Sequence, residues 1–256
     1  MSAIPDPDFD AKSTHVAFVA GATGYTGREV VRQLAEAGVT VVAHVRPDSE
    51  RRHDWRRRFE KMGAQVDETA WEAEAMTKTM NRIQPTLIFA LLGTTRARKA
   101  AVAKAGGDPE AQTYEAVDYG LTSLLLQACL AAHVTPKFVY LSAVGVSEKS
   151  RDAYSKVRWR FETELRHSGL PFVVARPSFI VGEGRDTPRP MEHLGATLID
   201  GATVVIGLLG AKTWSRRLRS MDNVELAEGL VRYALDQSAV NVVIESEGLR
   251  RDANRG

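Results

Sequence analysis

The sequence predicts an α/β fold in which one parallel sheet is covered by helices on both faces. Two observations carry this prediction. Short apolar runs rich in β-branched residues recur roughly every 30 residues, and segments with helical spacing lie between them. The first run also enters a glycine-rich turn that is followed at once by a helical pattern. Because the alternation continues along the chain, we expect a single domain over residues 14–246.

The composition is that of a globular protein. Of the 256 residues, 44% are hydrophobic and 26% are charged, which is ordinary for a domain with a substantial core. A formal net charge of +2 gives no reason to expect nucleic acid or a membrane as partner. Cys129 is the single cysteine, so a reducing, cytoplasmic location is expected. No apolar run reaches the roughly 18 residues of a membrane span.

Residues 16–28 are predicted to form a strand, a glycine turn and the start of a helix. The turn has a GxxGxxG spacing, which differs from the GxGxxG of the usual dinucleotide-binding turn. Glycines here permit a tight turn and a close approach of the backbone to a pyrophosphate, and the helix N-terminus offers N–H groups to the anion. The sequence therefore predicts a Rossmann-like doubly wound parallel sheet that binds a dinucleotide. The predicted contacts are Gly21, Thr23, Gly24, Tyr25, Thr26 and Gly27.

The end of the second predicted strand, Val39–Val45, indicates which dinucleotide is bound. An NAD-specific fold places an acid about 20 residues after the glycines, where it holds the ribose hydroxyls. Arg46 stands at this end instead, and a guanidinium would attract a 2′-phosphate, so NADP(H) is predicted. The alternative is a solvated loop arginine. Further cofactor contacts predicted at strand ends are Asp67, Leu92, Gly93 and Thr94.

Residues 49–62 are strongly basic, yet Trp55, Phe59 and Met62 recur at helical spacing. This pattern predicts an amphipathic helix with a solvated basic face, from which Arg51 or Arg52 could reach the cofactor phosphate. A nucleic-acid patch is the less favoured alternative, because acidic residues interrupt the basic run.

Three segments are expected to lie outside the sheet. Residues 1–13 contain few apolar side chains and are predicted to form a flexible arm. Glycines and prolines interrupt residues 182–220, which are predicted to be a small C-terminal insertion on the substrate side of the domain. The polar tail 247–256 is expected to fray.

Several short motifs occur together in the order known from one protein family. They are Gly21–Gly27, Leu91–Arg96, Val117-Asp118, Tyr140-Leu141-Ser142, Tyr154–Arg158 and Arg176-Pro177. Together they resemble an atypical short-chain dehydrogenase/reductase, most closely the Tat-interacting oxidoreductase group of NADPH-binding proteins. The resemblance covers about residues 15–245. It implies hydride transfer between NADPH and a small carbonyl or alcohol, with Pro177 and Ser178 along the nicotinamide.

The resemblance also implies three catalytic residues. Ser142 would hydrogen-bond the substrate carbonyl, and Tyr154 would donate or accept the proton. The family has a lysine four residues after the tyrosine, where it holds the nicotinamide ribose, and here that position is Arg158. A spacing of four puts Arg158 on the same helix face as Tyr154, whereas Lys156 would point elsewhere. Because a guanidinium does not simply replace an ammonium, a non-catalytic NADP(H)-binding regulatory or interaction protein is the alternative.

Other chemistries find no support in the sequence. The 6 histidines lack metal-ligand spacing, so no metal site is expected. A GxSxG turn and a phosphate-loop lysine are both missing, which argues against a hydrolase and a P-loop ATPase. The expected partner is a small-molecule substrate, and a homodimer or a protein partner is left open.

Overall fold

A computed structural model describes residues 15–94, 96–178, 180 and 221–250. The predicted arm 1–13 and insertion 182–220 lie outside these residues. A 7-stranded parallel sheet has the spatial order β3-β2-β1-β4-β5-β6-β7. Its strands are β1 Val16–Ala20, β2 Thr40–His44, β3 Gln65–Asp67, β4 Leu87–Ala90, β5 Lys137–Leu141, β6 Phe172–Arg176 and β7 Val242–Glu245. The predicted Rossmann-like doubly wound fold is therefore confirmed.

Helices connect the strands and cover the sheet. In chain order they are α1 Tyr25–Glu36, α2 Arg52–Lys61, α3 Ala73–Ile83, α4 Arg96–Lys104, α5 Thr122–Ala131, α6 Ala153–His167, α7 Asn223–Leu235 and α8 Ser246–Leu249. The sequence predicts a helix over residues 222–235 that is capped by Asp222. The structure confirms the cap, since the Asp222 side chain accepts from the backbone N–H of Glu225 at 2.8 Å. Across the described part of the chain, every helix is too short or too polar to cross a membrane.

Successive residues of the central strands enter two separate cores. In β1, Ala17 and Val19 are buried in a core that includes Leu34 of α1, while Phe18 belongs to a second core with Leu125 of α5. A strand buried on both faces needs apolar residues throughout, which explains the continuous apolar runs in the sequence. The strand order reverses between β1 and β4, so a crevice for a ligand opens at their carboxyl ends.

The small residues and the Gly106-Gly107 pair in residues 96–109 predict a flexible loop, and the structure corrects this prediction. Residues Arg96–Lys104 form a helix, because alanine, arginine and lysine all have high helix propensity. Only the glycine-containing end of the segment, at Gly106 with φ +77°, behaves as the turn that small residues suggested.

Apolar residues at helical spacing predict one long helix over residues 114–133, and in the structure this helix is interrupted. Its first part, Tyr114–Leu121, is π-helical and leads into α5. A π-helical turn holds an extra residue and changes which side chains face the core. Asp118 is thereby fully buried at the β4 loop, a position that regular helical spacing does not indicate.

The C-terminal tail also differs from its expectation. Instead of fraying from residue 247, the chain forms α8, and Leu249 is buried. Gly229 of α7 makes room for this contact, because a Cβ there would lie 2.4 Å from the Leu249 carbonyl oxygen. Burial of one leucine side chain contributes roughly 2 kcal/mol, and Arg232 and Tyr233 of α7 add hydrogen bonds to the carbonyls of this segment. Residues 251–256 lie outside the described part.

His44 at the end of β2 makes stability depend on pH. Its Nε2–H donates to the Thr69 carbonyl at 2.8 Å, and its ring packs 4.7 Å from the Trp71 ring. Burial lowers the pKa of His44 below its ordinary 6.5, although the Thr69 hydrogen bond and Asp67 partly oppose this shift. As the pH falls, His44 therefore becomes protonated near pH 6.5 in the unfolded chain. In the folded protein it becomes protonated only at a lower pH.

We expect stability from this group to be complete above pH 6.5 and to fall as the pH drops further, by up to about 1.4 kcal/mol per pH unit. Urea unfolding at pH 7.5 and 5.5 measures the slope. The variant His44→Phe should flatten it, whereas His53→Phe at an exposed position should leave it unchanged. Equal slopes in all three proteins would contradict the assignment.

Candidate cofactor and active site

The glycine turn is packed so closely that a side chain would not fit at Gly21 or at Gly27. Gly21 has φ +83°, and its carbonyl accepts from the N–H of Gly24 at 3.0 Å. A Cβ on Gly21 would lie 2.6 Å from the Leu91 carbonyl oxygen, and one on Gly27 would lie 2.1 Å from the Gly21 carbonyl oxygen. The turn therefore packs directly on the end of β4, as a phosphate-binding turn at the strand-order reversal requires.

Helix α1 begins directly after the glycine turn that follows the carboxyl end of β1. Gly24 is the N-cap, no described side chain caps the helix, and its first turn carries no acid. Such an N-terminus favours an anion. Thr26 is buried behind the turn, while Thr23 and Tyr25 are half-buried at its rim. These residues fit a dinucleotide pyrophosphate, and their individual contacts with it stay predictions.

Arg46 and Asp67, the two residues predicted to lie beside the adenosine, differ in their contacts with other side chains. Arg46 is 37% exposed, and its Nη1 lies 3.5 Å from the Asp48 carboxylate, so its guanidinium is available to a ligand. Asp67 is buried, and its carboxylate accepts from Arg82 at 2.5 Å and from the Thr69 N–H at 3.0 Å. Of these two residues, Arg46 is therefore the one whose charged group is accessible to a ligand.

The loop after β4 is fixed to its neighbours by hydrogen bonds. Leu92 and Gly93 are half-buried, and the N–H of Thr94 donates to the Asp118 carboxylate at 2.9 Å. After β6, the Pro177 carbonyl accepts from Val144 at 2.9 Å. The N–H of Ser178 donates to the Ser246 hydroxyl at 2.6 Å. Both loops lie at the carboxyl edge, where the sequence placed them.

Both terminal nitrogens of the Arg158 guanidinium are bound by groups of the protein. Its guanidinium is 4% exposed and lies 2.7 Å from the Asp118 carboxylate, which is 0% exposed. It also donates to the Leu141 carbonyl at the end of β5 and to the Tyr140 hydroxyl, the latter at 3.3 Å. Burial opposes the charge, but Tyr140, Tyr154 and Asp118 outweigh it and raise the pKa of Arg158. The predicted contact of Arg158 with a ribose stays a prediction.

Tyr154 lies in the first turn of α6, which Asp152 caps through the N–H of Ser155 at 2.8 Å. Its ring is half-buried and meets Tyr114 edge-on at 5.3 Å between centroids. The Arg158 guanidinium carbon lies 4.8 Å from the centre of the Tyr154 ring, a cation–π distance. The spacing of four residues thus brings the phenol and the cation together as predicted, while Lys156 is exposed.

Ser142 is bound to a buried carboxylate. Its hydroxyl donates to Glu162 at 2.7 Å, and Glu162 also accepts from Arg176 at 2.6 Å and Arg166 at 2.8 Å. Sequence reasoning missed Glu162, and it noted Asp118 in a family motif without giving it a role. The spacing offered a signal for Glu162, because Tyr154, Arg158 and Glu162 follow one another at intervals of four and so share one helix face.

The described side chains form no group of three or more histidine, cysteine, aspartate or glutamate residues that could hold a metal ion. Burial raises the pKa of Cys129 to about 12, so this thiol is a core side chain that stays protonated and is a poor nucleophile at neutral pH.

Solved structures from three bacteria share the fold. UDP-glucose 4-epimerase from Thermotoga maritima is 18% identical with a TM-score of 0.57, and the match covers 89% of this chain and 75% of that one. A putative epimerase from Burkholderia cenocepacia is 18% identical with a TM-score of 0.60, covering 93% and 80%. A putative NAD-dependent epimerase/dehydratase from Bacillus halodurans is 16% identical with a TM-score of 0.61, covering 90% and 92%.

At these identities the three structures support the fold alone. No curated protein matches the sequence significantly. The sequence model of the NAD(P)H-binding family matches residues 21–205, which is well over half of the chain and includes the glycine turn and all three predicted catalytic residues. The chain therefore belongs to the NAD(P)H-binding family.

Proposed function

We propose that this protein is an NADP(H)-dependent oxidoreductase of the atypical short-chain dehydrogenase/reductase type, akin to the Tat-interacting group. Its substrate is a small carbonyl or alcohol. The observation that supports this best is the pairing on α6, where the half-buried Tyr154 ring lies 4.8 Å from the Arg158 guanidinium. The pair stands at the carboxyl edge, since Arg158 also contacts the last residue of β5.

Different residues of this chain bind the cofactor and transfer the proton. The glycine turn holds the pyrophosphate, because α1 begins there with N–H groups that no described side chain caps, and Arg46 attracts the 2′-phosphate. When bound, NADPH supplies the hydride that is transferred to the carbonyl carbon. Tyr154 gives its phenol proton to the carbonyl oxygen, which becomes the alcohol. The Arg158 charge next to the ring stabilises the tyrosinate that remains.

A specific observation favours a second candidate, a cofactor-sensing protein without turnover. The hydroxyl of Ser142 donates to Glu162, and Arg158 is neutralised by Asp118. Because a hydroxyl has one proton to donate, Ser142 must leave Glu162 before it can donate to a substrate carbonyl. A protein that only binds NADP(H) would need no such rearrangement.

Turnover by a tyrosine variant separates the two functions. Purified protein is mixed with NADPH and a panel of small aldehydes and ketones, and consumption of NADPH is followed. We expect Tyr154→Phe to lower turnover by about 100-fold or more, as loss of a general acid does, with unchanged affinity for NADPH. The matched control is Tyr233→Phe, which removes a hydroxyl that bonds only to the Gly248 carbonyl at 2.9 Å among the described residues.

The outcomes are distinct. Full turnover by Tyr154→Phe would show that another group supplies the proton. Tight binding of NADPH by the unmutated protein without consumption across the panel would favour the sensing function instead.

A further inference from the structure

Trp55 of α2 is surrounded by cations. Its indole is 5% exposed, and the guanidinium carbons of Arg51, Arg58 and Arg28 lie 4.9, 5.5 and 5.7 Å from the ring centroid. Each distance is within the range of a cation–π contact, which holds a planar guanidinium in place. One buried ring therefore gathers three arginines that come from two different helices and the loop before one of them.

Two of these arginines belong to segments next to the glycine turn and the end of β2. Arg28 belongs to the first turn of α1, and its Nε donates to the Gly24 carbonyl at 3.3 Å. Arg51 directly precedes α2 and follows a short turn in which the N–H of Ser49 donates to the Arg46 carbonyl at 3.1 Å. The space between a glycine turn and the end of the second strand is where this fold holds the adenosine ribose.

The charges of this arginine cluster are not all balanced. Elsewhere on α2, Arg56 lies 3.0 Å from Glu68 and Arg57 lies 2.6 Å from Asp54. Within the described part of the chain, Arg51 and Arg58 have no acidic partner. Like charges gathered around one ring repel each other. A doubly charged anion bound among these arginines would attract each of them and so offset their mutual repulsion.

We propose that Arg51 and Arg28, held against Trp55, bind together with Arg46 the phosphate monoester on the adenosine ribose of NADP(H). Trp55 is then a positioning residue, since it fixes the guanidinium planes for two-pronged hydrogen bonds to phosphate oxygens. This inference rests on the proposed NADP(H) function. The sequence pointed to Arg46 and left open whether Arg51 or Arg52 reaches the phosphate, and the inference selects Arg51 and adds Arg28 and Trp55.

Calorimetry with matched nucleotides tests the site. Dissociation constants are measured for NADPH, NADH, 2′,5′-ADP and 5′-AMP, because each pair differs by the 2′-phosphate alone. We expect Arg51→Ala to weaken NADPH and 2′,5′-ADP by about tenfold or more, as for a lost hydrogen bond to a charged group. NADH and 5′-AMP should change less than about twofold. The control is Arg57→Ala on the same helix, whose side chain is 70% exposed.

The variants Trp55→Phe and Trp55→Leu test the positioning role. Phenylalanine keeps a ring face and should retain most of the NADPH preference, whereas leucine should reduce it toward that of Arg51→Ala. Circular dichroism identifies any variant that fails to fold, and Arg51→Ala, at an exposed position, is the decisive variant in that case.

Failure of this inference differs from failure of the proposed function. An unmutated protein that prefers NADPH, with Arg51→Ala keeping that preference, would overturn the inference alone. Equal affinity of the unmutated protein for NADPH and NADH would overturn the NADP(H) assignment itself. Salt-dependent RNA binding that Arg51→Ala removes, without any effect on the four nucleotides, would assign the arginine cluster to nucleic acid and overturn the inference.

Discussion

Gly27→Ala is expected to weaken binding of NADPH and NADH by at least about 100-fold, equivalent to roughly 2.7 kcal/mol. The added Cβ would lie 2.1 Å from the Gly21 carbonyl oxygen and 2.9 Å from two atoms of Ala22. Because all of these atoms belong to the backbone of the turn, no side-chain rotation can relieve the overlap. The turn must open, and the N–H groups at the start of α1 then no longer converge on the pyrophosphate.

A second helical glycine supplies the matched control. A Cβ on Gly229 of α7 would lie 2.4 Å from the Leu249 carbonyl oxygen, so Gly229→Ala should also lower the free energy of unfolding, by about 1–3 kcal/mol. Its overlap is with α8 and leaves the glycine turn intact. We therefore expect fluorescence titration of Gly229→Ala to give unchanged nucleotide affinity.

One outcome for the Gly27→Ala and Gly229→Ala variants would contradict the predicted pyrophosphate site. If Gly27→Ala and Gly229→Ala were equally destabilised and bound both nucleotides equally well, the turn at residues 21–27 would not be the pyrophosphate site. The cofactor would then have to bind elsewhere along the carboxyl edge of the sheet.

Asp118→Ala is expected to lower the free energy of unfolding by about 3–5 kcal/mol, the usual cost of breaking a buried ion pair. The carboxylate and Arg158 are 0% and 4% exposed, so solvent cannot replace the lost partner. The N–H of Thr94 also loses its acceptor, which adds the cost of an unsatisfied buried donor. Urea unfolding measures the change.

Two further variants make this result specific. Asp54→Ala removes a carboxylate at nearly the same distance, 2.6 Å from Arg57, but this pair is 60% and 70% exposed. We expect a loss of less than about 1 kcal/mol. The double variant Asp118→Leu with Arg158→Met removes both buried charges and should recover at least half of the stability lost in Asp118→Ala.

Equal losses in Asp118→Ala and Asp54→Ala would mean that the pair is hydrated in solution. Failure of the double variant to recover stability would show that the hydrogen bond to Thr94, rather than the unpaired charge of Arg158, causes most of the loss. Nucleotide affinity of the double variant tests in addition whether the β4 loop keeps its position.

The sheet and the glycine turn follow from local patterns in the sequence. Local patterns sufficed because a buried parallel strand needs a continuous apolar run. The glycine turn could be predicted because only glycine tolerates φ +83° at Gly21 and the contact with Leu91. The cap of α7 by Asp222 was equally local. The spacing of Tyr154 and Arg158 correctly predicted that these two side chains meet, because four residues make about one helical turn.

The contacts of the charged groups near Tyr154 follow from the packing of distant segments and could not be predicted from local sequence. Asp118 and Arg158 are 40 residues apart in the chain and meet because a π-helical turn faces α6 at the carboxyl edge. Ser142 and Glu162 are brought together by the packing of β5 against the same helix. Ion pairs between distant segments leave no periodic pattern, since their partners are selected by burial. The sequence thus supplied the cofactor turn, and packing selected the partners of Arg158 and Ser142.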